Sequence, residues 1–192
     1  MLYNIALELA ILPIDIALCV FLLLRYTDNT IVNLSFRRMA LFVTAADLMD
    51  VLCMVVLGSP VRRVLPWALL MLIQTANCVV SLAAAYSFVF YVISYETRSG
   101  RVDRSRVIGK RVNQTVLAVY AVLILQNFIT GNVFTFNSRG DVIEGALYVL
   151  VVYIFPIYYV INGTMFLNAH RQHYAKGQHR MIMLSFMALV AF

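Results

Sequence analysis

Apolar runs, each about as long as a bilayer is thick, constrain this chain more than any other feature. A helix rises about 1.5 Å per residue and the hydrocarbon core is about 30 Å across, so roughly 20 apolar residues make one span. Five such runs stand out: Ile5–Leu24, Met39–Leu57, Trp67–Tyr95, Val116–Phe134 and Ala146–Ala169. A sixth, Met181–Phe192, reaches only about 18 Å at helical rise and reads as a span broken off by the chain end. With 62% hydrophobic and 12% charged residues, the chain lacks the polar groups needed to cover its apolar surface in water. A soluble enzyme, a disordered tail and a small secreted scaffold are thereby excluded. The expected fold is an all-α, polytopic transmembrane helix bundle forming a single domain over residues 1–192, with five full spans and a truncated sixth.

The positive charges set the expected orientation. Arg25, Arg37 and Arg38 lie between spans one and two. Arg98, Arg101, Arg104, Arg106, Lys110 and Arg111 follow span three, and Arg171, Lys176 and Arg180 follow span five. These loops hold twelve of the 15 Lys and Arg residues, leaving Arg62, Arg63 and Arg139 for the other side. Lys and Arg accumulate on the cytoplasmic side, so the N-terminus is expected outside and the basic loops inside a cytoplasmic membrane. The pI of 9.4 is then a topology signal, and with no recognition motif beside the charges nucleic acid is not an expected partner. Trp67 and Tyr148 at outer span ends, and Tyr26, Tyr95 and Tyr174 at inner ends, fit the interfacial belts.

Polar residues within the spans are the candidate site. Span one carries Glu8 and Asp15 at a seven-residue spacing, which puts both on one helical face. Its thirteen Leu, Ile, Val and Phe residues favour insertion by roughly 4–8 kcal/mol, against about 2.5–3.5 for one central Asp. Span two carries Asp47 and Asp50 at i,i+3, and span three offers Gln74, Asn77 and Ser81. No Lys or Arg faces these acids within the spans. Asp15, Asp47, Asp50, Gln74 and Asn77 therefore form either a site for a small ligand, cation or proton, or a set of interhelical hydrogen bonds. Glu8 lies nearer the outer interface, where water reaches it. Ala83–Ala85 permit close helix approach, and Pro156 is expected to kink span five.

Between spans four and five, Val133–Phe136 and Asp141–Ile143 are short β-prone runs around Asn137-Ser138-Arg139-Gly140. They predict a small extracytoplasmic β-hairpin, either a lid or a plain connection, with Gly131 and Gly145 easing its junctions. Cys19, Cys53 and Cys78 are an odd number in apolar spans and predict no disulfide. His170, His173 and His179 have no acid or Cys beside them, so no metal site is expected. No phosphate loop, HExxH or nucleophile elbow occurs, and neither a cofactor nor catalysis is expected of this chain.

Several stretches carry a likeness to a known group: Asn33-Leu34-Ser35-Phe36-Arg37-Arg38-Met39, Asn127-Phe128-Ile129-Thr130-Gly131-Asn132-Val133-Phe134, Gly140, Gly145-Ala146-Leu147-Tyr148 and Gln178-His179-Arg180-Met181. The arrangement resembles the N-terminal multi-span sensor region of bacterial GGDEF-type diguanylate cyclases, and related regions precede histidine kinases. That resemblance implies a seventh span and a cytoplasmic output domain beyond Phe192, with self-association through that domain. It brings no agreed ligand and no binding residue.

The leading expectation is a membrane sensory module of a bacterial signal-transduction protein. The alternative is a fragment of an ion- or proton-coupled transporter, although no inverted repeat relates the halves; a passive anchor is the third. The orientation is directly measurable: reporter fusions after Val64 and Ser138 are expected to be active outside, and fusions after Gly100 and Ala175 active inside. The reverse pattern overturns the N-out reading.

Overall fold

Helices begin and end where caps and breakers stand in the sequence. The computed structural model describes residues 12–14, 16–17, 19–21, 24, 30–97 and 104–169. A short apolar helical stretch, Leu12–Phe21, lies in the expected first span. Most of that span, Asp15 and Glu8 within it, the three histidines and the sixth apolar run fall outside the described residues.

Helix α1 spans Ile31–Leu57. The Thr30 hydroxyl caps it by accepting from the Asn33 N–H at 3.3 Å. It starts eight residues before the expected Met39, because the cap lies at Thr30 and nothing after it breaks a helix. Arg37 and Arg38 thus sit on helix, not in a loop. Pro60–Arg63 form a 3-10 turn capped by the Ser59 hydroxyl. The Pro66 carbonyl then accepts from the Leu69 and Leu70 N–H groups and opens α2, Trp67–Thr97. Helix α3, Arg104–Thr130, begins before the expected span and ends short of it. Gly131, at φ +63°, turns the chain out of α3, so the expected last residues of span four become turn and strand.

Strands β1, Phe134–Phe136, and β2, Val142–Glu144, pair antiparallel with Thr135 opposite Ile143. The hairpin therefore forms at the expected place. Helix α4 follows, a π turn at Leu150–Ile154 running into regular helix over Phe155–Ala169. A proline ring clashes with the carbonyl four residues back. The π turn, in which the Phe155 N–H donates to the Leu150 carbonyl, gives the wider register just before Pro156. Pro156, where the sequence predicts a kink, is thus accommodated by this local widening.

The four helices are each long and apolar enough to cross a membrane. They alternate in direction, so the ends of α1 and α3 and the starts of α2 and α4 meet at the hairpin. The opposite end carries Arg37, Arg38, Lys110 and Arg111 and is called the basic end below. Helix α2 is central, packing most extensively on α1 and then on α4. The main core joins Leu70, Met71, Leu82 and Val89 of α2 with Tyr120 and Ile124 of α3, Phe134 and Phe136 of β1, and Val151, Phe155 and Tyr159 of α4. A second core, nearer the basic end, joins Val32 and Met39 with Phe88, Val92 and Leu167.

Close approach of α4 to α2 depends on Gly163. A Cβ there would collide with the Phe88 ring, which is 1% exposed and has no room to retreat. In an open helix Gly→Ala adds about 0.5–1 kcal/mol. Here overpacking outweighs it, and Gly163→Ala is expected to cost about 1–2 kcal/mol net. Unfolding of the purified chain in mixed micelles measures this, and Phe88→Leu in the same chain is expected to recover part of the loss.

Candidate functional site

The expected acids are brought to the α1–α2 interface. The Asn77 side-chain amide donates to Asp50 Oδ1 at 2.9 Å. Both residues are half-buried, and at helical rise Asp50 lies about 10 Å below the hairpin end of α1. Asp47 stands one turn deeper on the same face, with Oδ2 buried. Gln74 lies one turn nearer the hairpin on α2, half-buried, with no hydrogen bond among the described residues. Two of the expected site residues are therefore in direct contact, two flank them, and Asp15 is outside the described part. Asn77 Oδ1 is buried and accepts no hydrogen bond among the described residues. An Asp carboxyl at this depth, held by an amide donor, is a group that can carry a proton or meet a small cation. The same Asp50–Asn77 bond also ties two helices together where water is scarce.

The buried thiols of Cys53 and Cys78 lie among these helices, and all three cysteines are free. Cys53 Sγ is 4.0 Å from the Ile73 carbonyl. The Tyr120 hydroxyl donates to the Cys78 carbonyl at 2.8 Å, linking α3 to α2 at the same level. Near the basic end, Ser35 donates to the Ile31 carbonyl at 2.7 Å, and its oxygen lies 3.0 Å from the Ser94 hydroxyl. A ladder of polar contacts thus runs along α2.

Above the Asp50–Asn77 pair sits the hairpin, fixed by residues of three elements. Asn127, 1% exposed at the end of α3, accepts from the Val133 and Phe134 N–H groups at 2.8 and 3.1 Å and donates to the Phe134 carbonyl at 3.1 Å. Its side chain satisfies three backbone groups that no helix or strand would satisfy there. At the tip, Asn137 Oδ1 accepts from the N–H groups of Arg139 and Asp141, and Gly140 adopts φ +75°. A Cβ on Gly140 would stand 2.7 Å from the Arg62 carbonyl oxygen, so only glycine fits this left-handed turn against the α1–α2 connection.

Arg62 is the hub of that contact. Its Nη1 donates to the Leu57 carbonyl at the end of α1 at 2.8 Å, and its Nη2 lies 2.6 Å from Asp141 Oδ1. Trp67 Nε1 donates to Thr135 at 3.4 Å. Strand β1 is buried and β2 exposed, with Ile143 49% accessible. Chemically, the hairpin is a core element on one side and an open edge on the other.

Two groups of residues were not expected to act together. Arg62 counts in the sequence only as a minority charge, and its clamp depends on a long-range turn contact. Asn113 stands out in the sequence only as the first residue of Asn113-Gln114-Thr115, yet it is 2% exposed and gathers α4. Its Oδ1 accepts from Asn162 Nδ2 at 2.7 Å and from the Tyr158 hydroxyl at 3.2 Å, and its carbonyl accepts from Tyr159 at 2.8 Å. The polar character of Tyr158, Tyr159 and Asn162 is visible in the sequence, but their common partner is not.

No group of three or more metal-ligating side chains is present among the described residues. Compared with known proteins, the chain matches no family model, no curated protein and no solved structure at a significant level.

Interhelical side-chain pairs inside membrane proteins couple by about 0.6 kcal/mol on average and at most about 1.7. A double-mutant cycle on Asp50→Ala and Asn77→Ala, read by unfolding in mixed micelles, is expected to give coupling in that range. Strict additivity would show that the bond contributes nothing to helix association.

Proposed function

We propose that the chain is the membrane input module of a bacterial signalling protein, embedded in the cytoplasmic membrane with its N-terminus outside. Its output, on this reading, is a cytoplasmic diguanylate cyclase domain further along the same polypeptide. The observation that carries the proposal is the mechanical continuity from the hairpin into the bundle. Arg62 joins the end of α1 to Asp141, and β1 places Phe134 and Phe136 in the core beside Leu70 and Met71. These contacts give a movement of the hairpin a route to the packing of α1 against α2. The exposed β2 edge is accessible to such a stimulus, and a ligand there acts only as far as it binds one arrangement better than the other. The cyclase assignment rests on the resemblance of Asn33–Met39, Asn127–Phe134, Gly140 and Gly145–Tyr148 to that group. Self-association follows from the same resemblance, through the output domain.

A second reading, an ion- or proton-coupled carrier, is favoured by one observation: the Asp50 carboxyl is held by Asn77 within two membrane-length helices. Its site would be Asp47, Asp50, Gln74 and Asn77, with Asp15 added from span one.

The parent polypeptide tests both. Arg62→Gln and Asp141→Asn are each expected to change cyclic dinucleotide output several-fold, and the charge swap Arg62→Asp with Asp141→Arg to restore it partly. Output indifferent to all three, or a reading frame with no signalling domain after Phe192, overturns the sensor. Proton-coupled flux in vesicles that is lost in Asp50→Asn would establish the carrier instead.

A further inference from the structure

The outer edge of β2 is unpaired, and the ladder shows which backbone groups it presents. The Gly145 N–H donates to the Val133 carbonyl at 2.8 Å, and the Asn137 N–H donates to the Asp141 carbonyl at 3.0 Å. Bonded positions alternate in an antiparallel pair, so between these two it is Ile143, opposite Thr135, that turns its N–H and C=O toward β1. Val142 and Glu144 turn theirs away from β1, where no partner meets them among the described residues. The edge thus offers two donors and two acceptors in one row.

The hairpin is also placed where a second copy can reach it. It starts at the end of α3, its tip at Gly140 rests on the Arg62 carbonyl between α1 and α2, and Phe134 and Phe136 enter the core beneath it. Its strands therefore run across the end of the bundle, close to the plane of the membrane. Val142 and Glu144 project to the same side of the sheet as their partners Phe136 and Phe134, yet Val142 is 37% accessible and Glu144 is exposed. Strand β2 thus stands at the rim, beyond the helices that β1 covers. Two copies in one membrane face the same way and are related by rotation about the membrane normal, which is perpendicular to this sheet. That two-fold rotation sets the two β2 strands antiparallel, edge to edge.

We propose that β2 pairs antiparallel with β2 of a second copy of this chain, joining two hairpins into one four-stranded sheet. Charge and hydrogen bonding select the register. Setting the two Glu144 residues opposite each other opposes like charges. Setting the two Val142 residues opposite each other brings Gly140, already pressed on Arg62, into the new ladder. Val142 opposite Glu144 of the second copy avoids both, uses every outward group and forms four hydrogen bonds. The two-fold axis then passes between the two Ile143 side chains, each 49% accessible in one copy, and closes them on each other as a non-bonded pair. The edge is self-complementary, and a longer peptide would find no further open groups on it. Pairing takes the backbone edge and leaves the outer face of the sheet, with Thr135 and Trp67, open to a stimulus. It rests on the membrane-spanning reading, on neither the sensor nor the carrier assignment, and is separate from self-association through an output domain.

The test uses the full chain reconstituted in vesicles of phosphatidylethanolamine and phosphatidylglycerol. Residues opposite each other in a non-bonded pair have Cα atoms about 4.5 Å apart, which is within disulfide range. With copper phenanthroline as oxidant, Ile143→Cys is expected to link two copies efficiently. Arg139→Cys, at the hairpin tip and far from the two-fold axis, is expected to link only by random collision, and the unchanged chain, whose cysteines are buried, not at all. Glu144→Pro removes an N–H that does not face β1, so it deletes two of the four intermolecular bonds and spares the native ladder. Subunit counting across protein-to-lipid ratios is expected to show self-association weakened roughly tenfold or more. Ile143→Lys keeps the four bonds but opposes two like charges; it is expected to weaken association as well and serves where Glu144→Pro fails to fold. A monomer at every ratio, equal linking from positions 143 and 139, or association unchanged in both Glu144→Pro and Ile143→Lys overturns the proposal. Linking of position 143 to a different protein in native membranes gives the edge to another partner and overturns it too. Failure of the chain to fractionate with membranes would instead overturn the membrane reading beneath it.

Discussion

Buried backbone N–H and C=O groups need a partner, and the hairpin entry and the π turn among the described residues are shaped by that constraint. The largest departure is the hairpin. Its entry, Asn132–Phe134, leaves the helix before it has entered the strand ladder, and Asn127 supplies the partners that this passage lacks. Because Asn127 is itself buried and helical, the hairpin is rooted in α3 and not merely strung between helices. Phe134 and Phe136 can then enter the core without leaving bare backbone behind them. The π turn before Pro156 solves the same problem on a smaller scale. It keeps a hydrogen bond to Leu150 while giving the proline ring room.

Helix α2 is where the remaining polar groups are settled. Asp50 reaches Asn77 from α1, Tyr120 reaches the Cys78 carbonyl from α3, and Ser35 reaches Ser94 near the basic end. Apolar contact gives helices in lipid little reason to choose one neighbour over another, so such bonds fix rotation and register. Packing by small residues completes the arrangement. Ala84 and Ala85 are buried on α2, as the run Ala83–Ala85 suggests, and Gly163 of α4 lies so close over Phe88 that a Cβ there would collide with the ring.

The length and spacing of apolar runs made the helical bundle legible, and turn chemistry around Asn137–Gly140 made the hairpin legible. Helix ends were less so. The start of α1 depends on Thr30 accepting a bond from Asn33, and charged residues such as Arg37 and Arg38 disguise a helix that has already begun. Helical spacing put Asp47 with Asp50 and Gln74 with Asn77, yet which residue of each pair would meet the other helix depends on its rotation. That rotation depends on contacts elsewhere along α1 and α2, such as Ser35 with Ser94 and Val32 and Met39 with Phe88 and Val92, none of which signals polarity at Asp50. Asn113 was harder still, since its partners come from a segment 45 or more residues away.

The residues of the hairpin and its junctions have specific structural work here. Asn127 closes the hairpin entry, Gly131 and Gly140 take positive φ, and the Gly145 N–H donates to the Val133 carbonyl at 2.8 Å. Together they cap the bundle, and the cap leaves side chains open at two places, the β2 edge and the Arg62–Asp141 pair, the latter at 30% and 41% exposure. An exposed ion pair contributes only about 0.2–1 kcal/mol to stability. So small a value leaves most of the hold on the hairpin to Asn127 and to Phe134 and Phe136, which are buried in the core.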